Sequence, residues 1–484
     1  MNKAELLGQK FLDNHGYEHT VTKILGEGGQ GFVCLTETPG YVLKFVSDEN
    51  GNLFSEKEHQ NAFKYYSAVF KNINHLPIEN KDHLAIPVAI LTNYAGYVMR
   101  LMEDMNAFSI LDEGPESYPE TGGHRYRLEI LSKCASILSN IHSKGMVYCD
   151  ISPNNIFITK DNKSKNQNVW FIDTDNLFIP STNHKPKLVY TPRYAAPELI
   201  NSKAKGCTQN SDLYSFAIMA YECLSMIHPF AGKAAIEGIG SNDDWDNSSG
   251  WDKSSSEDNE NSDIDPIYSG KYPWINDPED DSNRSEDGFP KELFLTQELF
   301  DLFHQTFSIG RETAELRPTS YYWQKALAKA SDSTLECPKC KMSHIHEIGL
   351  KICPYCDNEI SDIISIKKND SLIFSRELVW NENSFVSNEI AIPERVFIPF
   401  DSKFNSLPLL FISVNKVDNS FAITIKKSEN PYFTDNVTLG ISQDGEFQTI
   451  AGATTVIINK GDSIELIAKI ENQSENSFNF TLEM

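Results

Sequence analysis

Asp150 and Asn155, in Val147-Tyr148-Cys149-Asp150-Ile151-Ser152-Pro153-Asn154-Asn155-Ile156, are followed by Asp173 behind the apolar run Val169-Trp170-Phe171-Ile172. These are side-chain types that phosphoryl transfer needs. One carboxylate orients an acceptor hydroxyl, while an amide and a second carboxylate hold Mg²⁺ against the phosphates. An acid and an amide five positions apart are a weak signal alone. Their weight comes from other landmarks that follow one another in order along the chain.

Upstream, Gly26-Glu27-Gly28-Gly29-Gln30-Gly31-Phe32-Val33 reads G-x-G-x-x-G-x-V. Glycine suits a backbone that must turn back on itself and come close to phosphates. Val21, Lys23 and Leu25 before the turn, and Phe32, Cys34 and Thr36 after it, alternate as strands do. A dinucleotide-binding turn would run directly into a helix instead. Lys44 then sits inside the apolar strand Tyr41-Val42-Leu43-Lys44-Phe45, where a buried ammonium needs a counter-charge. Phe54, Ala62, Tyr65 and Val69 recur at helical spacing, and Glu58 shares their face. The spacing predicts Glu58 as the partner of Lys44. The strand Tyr97–Met102 predicts Met102 as a neighbour of a bound base.

Downstream, Tyr126 to His142 reads as an amphipathic helix. Tyr190-Thr191-Pro192-Arg193-Tyr194-Ala195-Ala196-Pro197-Glu198 ends in A-P-E, and Arg317 stands in Leu316-Arg317-Pro318-Thr319. With these landmarks, residues 18–330 resemble the eukaryotic-type (Hanks-type) Ser/Thr protein kinase family over nearly the whole catalytic domain. The resemblance implies a bilobal fold with ATP and Mg²⁺ in the cleft and a protein substrate phosphorylated on Ser or Thr. By motif, Gly26, Gly28, Gly31 and Val33 would cover the nucleotide, and Lys44 and Glu58 would position its phosphates. Asp150 would be the base, Asn155 and Asp173 the Mg²⁺ ligands, and Arg317 the partner of Glu198. The Tyr-x-Asp-x-Ser-Pro-x-Asn loop with Asp173-Thr174-Asp175 is similar to kinases linked to bacterial stress and tellurium-resistance operons, which implies a bacterial member. Nine cysteines, four of them in a metal-like pattern, suit a cytoplasmic, reducing setting.

The departures from the family pattern carry information. Tyr148 and Cys149 occupy the places of His and Arg, and the missing Arg is the one that usually engages a phosphorylated activation loop. Activity independent of such phosphorylation is therefore expected. Ser152 replaces a lysine near the γ-phosphate, where charge stabilisation is the task. Asp175 replaces a glycine, so the segment presents two acids, as in small-molecule kinases of the aminoglycoside or choline type. Two other readings stay open beside the protein kinase: a small-molecule phosphotransferase and a nucleotide-binding pseudokinase scaffold.

The 484 residues carry a net charge of −25, which argues against nucleic acid or an anionic membrane as the main partner. About half of that charge lies in Ile236–Pro290, where 16 Asp and Glu meet 3 Lys and Arg. That acidic insertion is expected to stay unordered, with Trp245, Trp251 and Trp274 as anchors, and to attract a basic partner or be phosphorylated at Ser254, Ser255 and Ser256. No apolar run approaches a membrane span, and the N-terminus lacks the apolar core of a secretory signal.

Cys337-x-x-Cys340, twelve residues and Cys353-x-x-Cys356 give four of the nine cysteines zinc-ligand spacing. Structural Zn²⁺ is expected in a ribbon over 334–360, with His344 and His346 as bystanders; iron is the alternative. From 365 to 484, alternation at Phe421/Ile423/Ile425, Val437/Leu439/Ile441, Ile464/Leu466 and Phe478/Phe480/Leu482 predicts a β-sandwich. Gly461-Asp462-Ser463-Ile464-Glu465-Leu466 resembles the closing hairpin of a forkhead-associated domain, and an immunoglobulin-like module fits as well. The fold class expected for the chain is α+β: a kinase fold over 18–330 interrupted at 236–290, a zinc ribbon and an all-β sandwich.

Overall fold

The structure, a computed structural model, describes the chain except residues 3–4, 29–30, 80–81, 163–166, 181–186, 202, 241–266, 347–351, 361, 381–385, 399–406, 419, 444–445, 460, 471–476 and 484. The chain divides into two compact units. The first takes Met1–Glu113, Lys133–Gly288 and Asp301–Tyr322, and the second Gly114–Ser132, Phe289–Phe300 and Trp323–Met484.

The first unit opens with six antiparallel strands: β1 (Lys10–Leu12), β2 (Glu18–Gly28), β3 (Gly31–Thr36), β4 (Tyr41–Val46), β5 (Ala89–Ile90) and β6 (Gly96–Arg100), in the order β1-β2-β3-β4-β6-β5. β4 is central and buried on both faces. One face packs Phe11, Val21, Phe32, Cys34, Leu43 and Phe45, and the other packs Val46, Ile90 and Tyr97 against Phe70 and Ile73 of helix α1 (Gln60–Ile73). Lys44 and Tyr97 are Cα partners across β4 and β6, so both side chains lie on the helix-facing side.

Helix α1 corrects one expectation. It begins at Gln60, so Glu58 is in the turn before it, hydrogen-bonded to Ser55. Tyr65, read as part of the core stripe, is 61% exposed. The helix buries Ser67, Phe70 and Ile73 instead.

Helix α2 (Gly123–Ser143) leads towards the Asp150 loop, and its first residues count with the second unit. A three-stranded sheet, β7 (Met105–Ala107), β8 (Ile156–Thr159) and β9 (Val169–Phe171), brackets the loop that carries Asn155 and the turn at Asp173. After α3 (Pro197–Ile200) comes α4 (Gln209–Ser225), which starts from a reciprocal Thr208–Ser211 cap and is buried on every side from Ser211 to Ser225. Then follow α5 (Lys233–Gly240), α6 (Gln297–Phe307), α7 (Ile309–Glu312) and α8 (Ser320–Asp332).

The described parts of the acidic insertion are ordered, which corrects the expectation for Ile236–Pro290 as a whole. α5 reaches Gly240, and Trp274 is fully buried against Tyr221 and Phe307. Burial of the indole outweighs the polar composition around it. Trp245, Trp251 and Ser254–Ser256 lie outside the described residues.

In the second unit, β10 (Thr334–Glu336) and β11 (Ser343–Ile345) form a hairpin. Beyond it, β12 (Ile363–Lys368), β13 (Ser371–Glu377), β14 (Ile390–Pro393), β15 (Pro408–Val417), β16 (Ser420–Lys427), helix α9 (Pro431–Asn436), β17 (Val437–Gln443), β18 (Glu446–Thr449), β19 (Ala453–Asn459), β20 (Ser463–Ile470) and β21 (Ser477–Glu483) build two antiparallel sheets. Their orders are β13-β12-β21-β20-β17-β18 and β14-β15-β16-β19. Residues of both sheets share one core, with Ile364, Ile366, Leu439 and Leu466 from the first and Ile412, Val414, Ile423 and Ile425 from the second. Phe421, Ile423 and Ile425, read as one face of a strand, are all buried.

Candidate active site

The glycine turn joins β2 to β3, with Gly28 opposite Gly31. Gly31 has φ +147°, and a Cβ there would stand 1.8 Å from the Phe45 carbonyl oxygen, so the approach of β4 imposes this glycine. A Cβ at Gly26 would meet nothing within 4 Å. Val33 is the Cα partner of both Gly26 and Lys44, so it stands on β3 between that glycine and the lysine.

Lys44 is 9% exposed. Its Nζ donates to the Asp173 carboxylate and, at 2.8 Å, to Asp175 Oδ2. Burial works to discharge the ammonium, but the charges of Asp175 and Asp173 outweigh it and raise the lysine pKa above its ordinary value. Tyr97 donates its hydroxyl to Asp175 Oδ1 at 2.8 Å. Asp173 itself has left-handed backbone and opens the 3₁₀ turn Thr174–Asn176, which is pinned by Thr174 Oγ1 on the Ala85 carbonyl.

The Asp150 loop is held from below by Asp212 in the first turn of α4. Its carboxylate accepts the backbone N–H groups of Tyr148 (2.8 Å) and Cys149 (2.9 Å) and faces His142 Nε2 at 3.1 Å. Cys149 has φ 81°, an uncommon conformation for a side chain with a Cβ, and the Asp212 bonds keep it there. Tyr148 reaches through its hydroxyl to the Ile172 carbonyl, next to Asp173, and to the Asn155 carbonyl.

Asp150 and Asn155 meet. The Asn155 amide donates to Asp150 Oδ2 and to the Asp150 carbonyl, both at 2.9 Å, and Thr191 Oγ1 donates to Asp150 Oδ1 at 2.7 Å. Burial pushes the Asp150 pKa up and the Asp173 charge adds to it. The Thr191 and Asn155 bonds act the other way, and the net shift is upward. Among the described residues, the side-chain hydrogen-bond partners of this carboxylate are the Thr191 hydroxyl and the Asn155 amide, with no cation, and the Thr191 backbone N–H acts on it as well.

The structure therefore brings Asp150 to Asn155 and Lys44 to Asp173, with Val33 on the strand between Gly26 and Lys44. It does not bring Glu58 to the lysine; that place is taken by Asp175. Met102 follows β6 and lines a cavity of about 310 Å³ with Arg100, Glu103, Thr159 and Trp170, whose walls include none of Lys44, Asp150, Asn155 or Asp173. Glu198 and Arg317 form a two-pronged pair at 2.7 and 2.8 Å. The segment before Thr191 is tied down by the Cys207 N–H on the Lys187 carbonyl (2.7 Å), by Cys207 Sγ against the Val189 carbonyl (3.1 Å) and by Lys187 Nζ on the Asp175 carbonyl (2.8 Å). Thr191 and Asp175 stand in the motifs visible in the sequence, but no spacing assigns these contacts to them, and Asp212 lies outside those motifs.

The protein kinase domain family matches residues 20–263, half of the chain. The chain belongs to that family. Its kinase domain is similar to the serine/threonine-protein kinase pkn2 of Myxococcus xanthus, 26% identical over 44% of this chain and 25% of that protein. It is similar to PknA of Corynebacterium glutamicum, 26% identical over 49% of each chain, and to ArnS of Sulfolobus acidocaldarius, 22% identical over 43% of this chain and 37% of that one. The chain thus spans between a quarter and about half of the length of these kinases. No helix among the described residues is long and apolar enough to cross a membrane.

A second cluster lies outside the kinase-domain match. The sulfurs of Cys337, Cys340, Cys353 and Cys356 all stand within 4.8 Å of one another, with Cys337–Cys356 and Cys340–Cys353 at 3.7 Å. Each C-x-x-C turn closes alike: the N–H four residues on returns to the carbonyl of the first cysteine, from left-handed Lys341 and Asp357. Four thiolates about 2.3 Å from one ion stand roughly 3.8 Å apart, so the set fits tetrahedral Zn²⁺. Of the two histidines between the cysteine pairs, His344 faces the Ile345 carbonyl with its Nδ1.

Proposed function

We propose that this chain is an ATP- and Mg²⁺-dependent protein kinase that phosphorylates Ser or Thr hydroxyls of a protein substrate. The observation that carries the reading is Asp150 gripped by Asn155 and Thr191, in a chain where Lys44 meets Asp173. In this reading Asp150 accepts a hydrogen bond from the acceptor hydroxyl and orients its oxygen towards the γ-phosphorus. Asn155 and Asp173 would hold Mg²⁺, which neutralises triphosphate charge when bound. Lys44 steadies the α- and β-phosphates, and the Gly26–Gly31 turn, with Val33, covers the nucleotide. Met102 would border the base. The ordered run from Lys187 to Thr191, ending on Asp150, favours a protein over a small molecule as acceptor.

A scaffold reading starts from Ser152 and Cys149, which stand where lysine and arginine are expected, and from Asp150 having no cation on its carboxylate among the described residues. The two readings separate when the chain is incubated with γ-labelled ATP, Mg²⁺ and cell-lysate proteins. Label transferred by the wild type and lost by at least about a hundredfold in Asp150→Asn supports the kinase. Nucleotide binding without transfer by the wild type would sink it.

We further propose that Cys337, Cys340, Cys353 and Cys356 hold structural Zn²⁺, which would supply folding energy that so small a core lacks. The two-sheet module from 365, forkhead-associated-like or immunoglobulin-like, would choose partners, and the acidic residues of 236–290 would attract basic ones.

A further inference from the structure

A buried ammonium that serves the phosphates needs an acid that remains beside it after Mg²⁺ has claimed its own ligands. Of the two carboxylates on Lys44, Asp173 is the one assigned to the metal. Asp175 is the other. Its Oδ2 takes Lys44 Nζ at 2.8 Å, its Oδ1 takes the Tyr97 hydroxyl at 2.8 Å, and its carbonyl takes Lys187 Nζ at 2.8 Å. The residue is 8% exposed. Lys44 and Tyr97 stand opposite each other on neighbouring strands, so ammonium and phenol converge on one carboxylate from a rigid sheet.

Helix α1 approaches this group differently from the sequence-based expectation. It offers no carboxylate to Lys44. Its contribution is Phe70, whose ring meets Tyr97 edge-on at 4.8 Å. Glu58 stays on Ser55, ahead of the helix.

We propose that Asp175 is the positioning acid of Lys44, standing in for the helix-borne glutamate, and that Tyr97 fixes its orientation. The inference rests on the kinase reading above. It gives a reason for an acid where the family pattern has glycine: the counter-charge has moved from the helix to the turn that follows the metal ligand. Because Lys44 is then aimed by the sheet and that turn, a shift of α1 would not break an ion pair at the phosphates.

The test uses the full chain with a fluorescent ATP analogue for binding and γ-labelled ATP with casein for transfer. Asp175→Asn is expected to weaken nucleotide binding and raise KM for ATP by about tenfold, with a smaller fall in kcat. Asp175→Glu should recover part of the loss, and Tyr97→Phe should shift KM the same way by about threefold. In a Lys44→Met background, Asp175→Asn should add almost nothing, since both changes remove one interaction. Thermal melting checks that each variant folds.

Three outcomes overturn the proposal. The first is Asp175→Asn leaving KM and kcat within twofold of wild type. The second is Asp175→Asn adding its full loss on top of Lys44→Met. The third is Asp175→Asn raising only the Mg²⁺ requirement while binding without Mg²⁺ is unchanged, which would make Asp175 a metal ligand. A wild-type chain that binds no nucleotide would instead remove the kinase reading along with this inference.

Discussion

Thr191 and Asp150 set the first expectation, at the scale of single residues. The Thr191 hydrogen bond stabilises the charged carboxylate against burial. Thr191→Val removes that bond, so the Asp150 pKa climbs further and, with Asp150 as the proposed base, the acid limb of the kcat/KM profile moves to higher pH. A limb that stays put would show that the threonine does not act on Asp150. The residues of this site were unequally legible in the sequence. The meeting of Asp150 with Asn155 was legible because a short loop fixes their spacing, whereas Lys44 meets Asp173 across 129 residues of sequence. The role of Asp175 was not legible, since a motif that expects glycine assigns no task to an acid. Glu58 was misread because the spacing Phe54–Glu58–Ala62 is helical, but a turn occupies its first half.

At the scale of elements, the hairpin β10–β11 caps a helix within the second unit. Ser343 Oγ accepts the His124 N–H at 2.6 Å in the first turn of α2, and the Ser343 carbonyl faces His124 Nδ1 at 2.8 Å. Gly123 permits this, because a Cβ there would stand 2.4 Å from that hydroxyl. Ser343→Ala should cost about 1 kcal/mol, read as a lower melting temperature. If Zn²⁺ holds the hairpin, chelation lowers the melting temperature as well, and the Ser343→Ala loss shrinks in the chelated protein. Equal losses with and without chelator would disconnect metal and cap. Strand faces from 365 onwards were legible, because Ile423 and Ile425 or Leu439 and Ile441 alternate with polar residues. Partners were not: nothing in a period of two says that β12 sits between β13 and β21.

For the molecule as a whole, pH and phosphorylation give two expectations. His228 is buried against the Arg193 carbonyl, and burial lowers its pKa from 6.5 to about 4. The unfolded chain therefore binds an extra proton between those values. Stability from this group is complete above about 6.5 and is lost as pH falls towards 4. Urea titrations from pH 7 to pH 5 should show that loss, and His228→Asn should flatten it. The second expectation concerns activation. Cys149 offers no charge to a phosphate, and Lys187 to Thr191 are already tied to Cys207, Asp175 and Asp150. Phosphatase treatment should leave transfer activity intact; a complete loss would refute it.

The left-handed backbone at Cys149 restricts which amino acids that site can accept. In a saturation library, glycine and asparagine should survive there better than valine or isoleucine, whatever their size or polarity. Tolerance at position 149 would then follow torsional latitude, and thiol chemistry would be incidental to it.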